Sequence, residues 1–314
     1  MSELITYEIP RLKDPIMFMG FSGTFDMALV STSTVGHLQS GTLASDIAMI
    51  SPENFYNFAR VRPITRIDTS GSRVIDWPGV EIKVATFSDV DMIFVTGEEP
   101  QYMWSTMSAH ISEIAKKTGC KLAISLGAVN GIVPHTRDLP VYGYTTNADV
   151  SEKMNLERPK YEGPTGYMAS LNGALEDAGI PSIAVRVEVP HYLPSPPSPK
   201  AVQALLSYLG ELLDVDTYAK ALDPRVKEWE HLVNEAVAID EENVTYVEQL
   251  EEQHDSEEEL ASASKDLVLG LESFLADNSV VIEDIEIELD DQISESLEEV
   301  ESEDEKPEDE ETGL

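Results

Sequence analysis

Residues 90–129 read VDMIFVTGEEPQYMWSTMSAHISEIAKKTGCKLAISLGAV, and their three-part rhythm decides the fold. The first part, VDMIFVTG (90–97), is a short apolar run closed by glycine, which marks a strand buried on both faces. The middle part, 101–118, has the spacing of an amphipathic helix. Met103, Met107, Ile111 and Ile114 recur at steps of three and four, and Gly119 is placed to stop it. The third part, KLAISLGAV (121–129), is again a buried strand, closed by Asn130 and Gly131.

The same alternation extends outward in both directions. Toward the N-terminus, IMFMGF (16–21) and IAMI (47–50) read as strands, with a helix predicted over 24–38 despite the poor helix formers at 31–34. RIDTSGSRVIDW (66–77) has two β-like arms around Ser70-Gly71, a hairpin signal, and VEIKVATF (80–87) alternates. Toward the C-terminus, VYGYTT (141–146) reads as an edge strand, a helix is predicted over about 165–178, and SIAVRVEV (182–189) is the last strand. Ser198 and Pro199 supply an N-cap and first turn for a helix whose face carries Val202, Leu205, Leu206, Leu209 and Leu213. Strand–helix–strand alternation over residues 1–215 predicts an α/β core domain, three layers around a largely parallel sheet. A Pro-free helical run over 225–255 follows, with Trp229, Leu232, Val233 and Val237 on one face. EEQHDSEEEL (251–260) reads as a charged break before one more helix over 259–275. Residues 216–275 are therefore expected to form a helical extension packed on the core, and 276–314 an acidic, disordered tail.

Charge excludes some partners. The net charge is −38, and its spread is uneven: from Asp240 onward there are 30 Asp/Glu against 2 Lys, whereas residues 1–239 hold 29 acids and 19 bases. Nucleic acid and anionic membrane both demand a basic surface, so neither is expected as a partner. The one cysteine, Cys120, cannot form an internal disulfide, and no uncharged apolar run is long enough for a transmembrane helix. A cytoplasmic protein is the expectation.

Polar residues gather where strands end. GFSGTFDMA (20–28) is strand, glycine turn, helix, a place where α/β sheets bind ligands. The known fingerprints fail there. Gly20 and Gly23 do not make a dinucleotide motif, no Gly-Lys-Ser/Thr follows, and Thr24 stands where a nucleophile elbow around Ser22 needs its last glycine. Glu98 and Glu99 follow a buried strand. Either they favour the dipole of a helix starting at Pro100, or one of them enters a crevice as general base or cation ligand. NGIVPHTRDLPVYG (130–143) holds His135, Thr136, Arg137 and Asp138 in one Pro-bounded loop, either as functional groups or as an Arg137–Asp138 pair fixing the loop. The zinc patterns are absent and no metal is expected. PHYLPSPPSPKAVQALL (190–206) opens on His191 and Tyr192, then stiffens through its prolines over 194–199 before the helix. In a parallel sheet Gly20, Glu98, His135 and His191 share one edge. The alternative, a small-molecule enzyme of hydrolase, phosphorylase or ATP-dependent ligase type with Glu98 as base, His135 or Arg137 on an anion and His191 or Tyr192 as acid or clamp, would need them around one pocket.

As a set, VTGEEPQYMW (95–104), LGAVNGIVPHTRDLPVYG (126–143), the Gly163 and Gly166 pair before a helix, and VPHYLPSPPSPKAVQALL (189–206) resemble the proteasome assembly chaperone family, in the manner of its second subunit. The resemblance covers about residues 14–215 and, more loosely, up to 255. Actinobacterial members share the motif order and carry a helical, acidic C-terminal extension. The resemblance implies a phosphorylase/hydrolase-like α/β/α fold with a mixed sheet, self-association with a trimer as the candidate state, and a protein partner such as a proteasome subunit. It implies no cofactor, and no glycine-rich phosphate loop with a lysine supports ATP. Some archaeal relatives dock through a C-terminal hydrophobic-Tyr-any motif, from which the final Glu-Thr-Gly-Leu departs. The family's recurrent positions fall on Gly20, Phe21, Glu98, Glu99, Pro100, Trp104, His135, Thr136, Arg137, Gly166, Pro190, His191 and Tyr192, and no catalytic role attaches to them.

Overall fold

A computed structural model describes residues 3–87, 90–193 and 197–277. The chain divides into two compact units, Met1–Ser256 and Glu257–Leu314. The first unit opens with β1 (Leu4–Thr6), β2 (Ile16–Ser22), α1 (Val30–Ser40) and β3 (Ser45–Ile50). A hairpin of β4 (Ile64–Ile67) and β5 (Arg73–Asp76) precedes β6 (Val80–Phe87) and β7 (Val90–Glu98). Then come α2 (Trp104–Thr118), β8 (Leu122–Gly131), β9 (Val141–Tyr144), α3 (Ala148–Met154), α4 (Tyr167–Asp177) and β10 (Ser182–Pro190). Three helices follow: α5 (Pro199–Leu213), α6 (Asp223–Val237) and α7 (Glu241–Asp277).

Eight strands make one mixed sheet in the order β1-β3-β6-β7-β2-β8-β10-β9. The central four, β7, β2, β8 and β10, run parallel to one another. The outer strands β1, β6 and β9 pair antiparallel with their neighbours. The period of two then sorts each central strand. Met17, Met19 and Phe21 point to one face of β2, where Ile111 and Ile114 of α2 and Leu171 and Leu175 of α4 cover them. Phe18 points the other way, into a core with Val35 and Leu38 of α1 and Leu205, Leu206 and Leu209 of α5. Burying each such side chain contributes about 1.5–3 kcal/mol. The result is the three-layer α/β fold with a mixed sheet and a C-terminal helical extension.

Several boundaries differ from the sequence expectation, each for a local reason. The helix expected over 24–38 begins only at Val30. Asp26, 7% exposed, accepts from the Ser31 hydroxyl at 2.6 Å and from the Thr32 amide and hydroxyl at 3.1 and 2.7 Å. Ala28 and Leu29, at φ 52° and 57°, carry the chain round to that cap. The helix α2 begins at Trp104, not near Pro100, because Met103 sits at φ 53° and remains half exposed. Glu98 and Glu99 therefore lie ahead of the helix instead of on its first turn. Gly119 does end α2, in the left-handed region at φ 70°.

Two elements were not foreseen. Strand β1 has three residues, and α3 is capped by Asn147, whose side chain accepts from the Val150 amide at 3.1 Å. The C-terminal helices also divide differently. The run expected over 225–255 is interrupted at 238–240, where Asp240 restarts the chain by accepting the Glu242 amide at 3.0 Å. The charged stretch 251–260 is no break: α7 passes through it, since glutamates form helix well. On α6, Val226 and Val233 are buried and Trp229 half-buried, whereas Leu232 faces solvent. Residues 194–196 of the proline run, and the tail from 278 on, where VIEDIEIELDDQ (281–292) alternates apolar with acidic residues in sequence, lie outside the described residues.

Candidate functional site

The residues singled out at the strand edge separate into two groups. The first forms where β2 and β7 end side by side, Ser22 opposite Glu98. Gly20 is required by packing: a Cβ there would meet the Ser31 carbonyl oxygen and Val35 Cγ2, both at 2.9 Å, so α1 lies directly on β2. Phe21 packs edge-on against Tyr167 with centroids 5.3 Å apart, and Tyr167 in turn against Trp104 at 5.9 Å. Gly166 precedes α4 where a Cβ would strike the Phe25 ring at 2.9 Å.

The two glutamates part company. The Glu99 carboxylate accepts the Thr24 amide at 2.8 Å and closes over Gly23, bracketing the loop after β2. Glu98 is half-buried. Burial raises its pKa above the ordinary carboxylate range, the Ser22 hydroxyl bond works against that, and Asp26 adds repulsion. Its backbone carbonyl accepts from the Tyr56 hydroxyl at 2.8 Å, and burial pushes that phenol's pKa up.

The second group is centred on His135, 1% exposed. The Tyr192 hydroxyl accepts the His135 amide at 2.8 Å and, having taken that donor, gives its own proton to Nδ1 at 2.7 Å. Nε2 therefore carries the hydrogen and donates it to Asn234 Oδ1 of α6 at 3.0 Å. Every polar position of a neutral ring is satisfied, and burial holds its pKa below the usual histidine value. Lys200, at the start of α5, donates to the His135 carbonyl at 2.7 Å and to Glu230 of α6 at 2.6 Å. Thr136 donates to Glu251 of α7. Arg137 does not pair with Asp138. It grips Asp255 of α7 through Nε and Nη2 at 2.7 and 2.8 Å, with Glu251 at 3.4 Å.

His191 completes this group. Its Nδ1 lies 3.1 Å from the Gly131 carbonyl and must donate there, so Nε2 accepts from the Tyr246 hydroxyl of α7 at 3.2 Å. The rings of His191, Tyr192 and Tyr246 meet edge to face, with centroids 5.6–6.3 Å apart. The loop residues and the C-terminal helices thus interlock, with little left to take a substrate. The sequence did not flag Lys200, Glu230, Asn234, Tyr246, Glu251 or Asp255. The available signal was spacing: Glu230 and Asn234 stand four apart beside buried Val233, and Glu251 adjoins buried Leu250.

Glu98 shares no described contact with His135 or His191. Two surface depressions, of about 330 Å³ beside His37, Val202 and Arg225 and about 470 Å³ between α2 and α4, are lined by none of the three. The PAC2 family profile matches residues 20–237, which takes in the first group and all of the second except the α7 residues Tyr246, Glu251 and Asp255. The chain belongs to the PAC2 family. This PAC2 protein is 34% identical to a PAC2 family protein from Streptomyces avermitilis, with a TM-score of 0.70, over 74% of this chain and 100% of that one. It is 31% identical to the proteasome-assembly chaperone homologue Rv2125 of Mycobacterium tuberculosis, TM-score 0.67, over 74% of this chain and 99% of the other. A protein of unknown function from Corynebacterium glutamicum shares the fold at 22% identity, TM-score 0.73, over 82% and 99% of the two chains. Among curated proteins none matches.

Proposed function

We propose that this PAC2 protein is a non-catalytic assembly factor that acts by binding another protein, with a proteasome subunit as the candidate partner, and that it works as a homo-oligomer in a reducing cytoplasm. The observation that carries the non-catalytic reading is the consumption of the motif loop: His135, Thr136, Arg137 and His191 are all bonded to the protein's own helices. The partner class rests on the chaperone homologue that aligns over almost its whole length. The compartment suits Cys120, a buried thiol whose pKa burial pushes up to about 11, so that it stays protonated and unreactive. No helix among the described residues is long and apolar enough to cross a membrane.

The test is reconstitution. Purified proteasome α- and β-subunits of the source organism are mixed with and without this protein, and assembly is followed on native gels. Faster appearance of assembled particles, with the protein co-migrating on an intermediate, is the expected result. Unchanged kinetics and no co-migration overturn the partner assignment.

A further inference from the structure

The hairpin β4–β5 stands apart from the main sheet as its own two-stranded ribbon. A ribbon of this size is marginal without something to cover it. Yet Ile64 and Ile67 are 68% and 64% exposed, and Trp77 at its base is 53% exposed while packing edge-on against Phe58 at 5.1 Å. The register places Ile67 opposite Arg73 and Ile64 opposite Asp76, so each face mixes apolar and charged groups. Between Arg60 and Trp77 there are four Arg and two Asp, in a chain whose net charge is −38. Arg66 pairs with Asp76 at 2.6 Å, and no described side-chain bond engages Arg60, Arg62 or Arg73. Trp, Ile and Arg together are the composition of an interface centre.

A complementary surface exists on the same molecule. At the turn between α6 and α7, Leu232 and Ile239 are 57% and 85% exposed among Glu235, Asp240, Glu241 and Glu242. No described bond or ring contact joins the two surfaces within one chain. The hairpin leaves the sheet between β3 and β6, whereas α6 packs on α5, which lies over β10 and β9 at the other end of the strand order. Within one chain both surfaces stay exposed.

We propose that the Arg-rich hairpin of one copy docks on the acidic α6–α7 turn of a second copy, head to tail. Apolar side chains on both surfaces give the contact its area, and opposite charge gives it register. A contact of two different surfaces repeats, closing into a ring or running on as a filament. The proposal rests on the homo-oligomer reading above and supplies its interface.

The experiment uses the full chain in three forms: wild type, R60E/R62E/R73E, and E235K/E241K/E242K. Sedimentation equilibrium measures association, and circular dichroism establishes folding. Wild type is expected to associate in the micromolar range and more weakly as salt rises. Each reversed variant alone should associate about 10- to 100-fold more weakly. An equimolar mixture of the two should regain association, because the reversed hairpin fits the reversed turn while the unaltered surfaces still fit each other. The single changes R73E and E241K, both on exposed side chains, serve as a second pair if a triple variant misfolds. A wild type that stays monomeric, an oligomer indifferent to either reversal, or a mixture without recovery overturns the proposal. An oligomer that ignores both reversals while proteasome assembly is still accelerated sinks this interface alone, whereas unchanged assembly kinetics with association intact sinks the partner assignment alone.

Discussion

At the residue scale, His135 is the position where removal costs most for least change in shape. Substituting alanine keeps the backbone amide bond to the Tyr192 hydroxyl but removes a 1%-exposed ring that bonds that hydroxyl through Nδ1 and Asn234 Oδ1 through Nε2. A loss of about 2–4 kcal/mol is expected, read as a lower urea midpoint with unchanged slope. The same ring sets a pH dependence. Its folded pKa is below its unfolded value of about 6.5, so between the two the unfolded chain binds more protons. This contribution is complete above the unfolded value and is lost as pH falls through the folded one. The fall in urea midpoint from about pH 7 to about pH 5 should accordingly be steeper in wild type than in His135→Gln. Arg137→Ala releases Asp255 and leaves Glu251 held by Thr136 alone. Amide exchange in residues 241–256 should quicken while the β8 and β2 amides keep their protection. Equal quickening everywhere would mean that α7 is not held by this fork.

At the element scale, the contact between β2 and α1 is set by the absence of a side chain. Gly20→Ala must push Ser31 and Val35 aside, and a backbone carbonyl yields poorly. The expected cost is about 1–3 kcal/mol, seen as a lower melting temperature, and an unchanged value would show that α1 can slide. Elements of this kind were legible in the sequence wherever burial imposed a period. IMFMGF, VDMIFVTG and KLAISLGAV appear as the strands expected, and Met107, Ile111 and Ile114 are all buried. Starts of helices were harder, because the signal is a single side chain. The delay of α1 depends on Asp26 being buried beneath it, and the break before α7 depends on the Asp240 cap. The edge candidates were readable as a set, since Gly20 and Glu98 lie in the closing residues of the parallel strands β2 and β7, and His135 and His191 come after β8 and β10. What occupies them was not readable, because a loop does not announce partners that arrive about a hundred residues later.

At the scale of the whole molecule, the division proposed for the chain puts a core at 1–215 and an extension at 216–275. The bonds from His135, Thr136 and Arg137 reach across that boundary to Asn234, Glu251 and Asp255. A chain ending at residue 215 should therefore lose its single cooperative urea transition and aggregate, because it uncovers α5 as well as orphaning the loop. A sharp two-state transition in the truncated chain would show the core to be autonomous.

The separation in sequence between the motif loop and its partners also has a meaning in time. His135 lies 99 residues before Asn234, and Arg137 118 before Asp255. A ribosome adding about 5–20 residues per second needs on the order of 5–25 s to supply the missing halves. During that interval the nascent sheet carries a buried-type histidine and an arginine fork with nothing to hold. Folding of the first unit thus has a built-in late event, the arrival of α6 and the start of α7. Messages that pause or truncate translation before it should leave behind chains marked for degradation instead of shortened working ones.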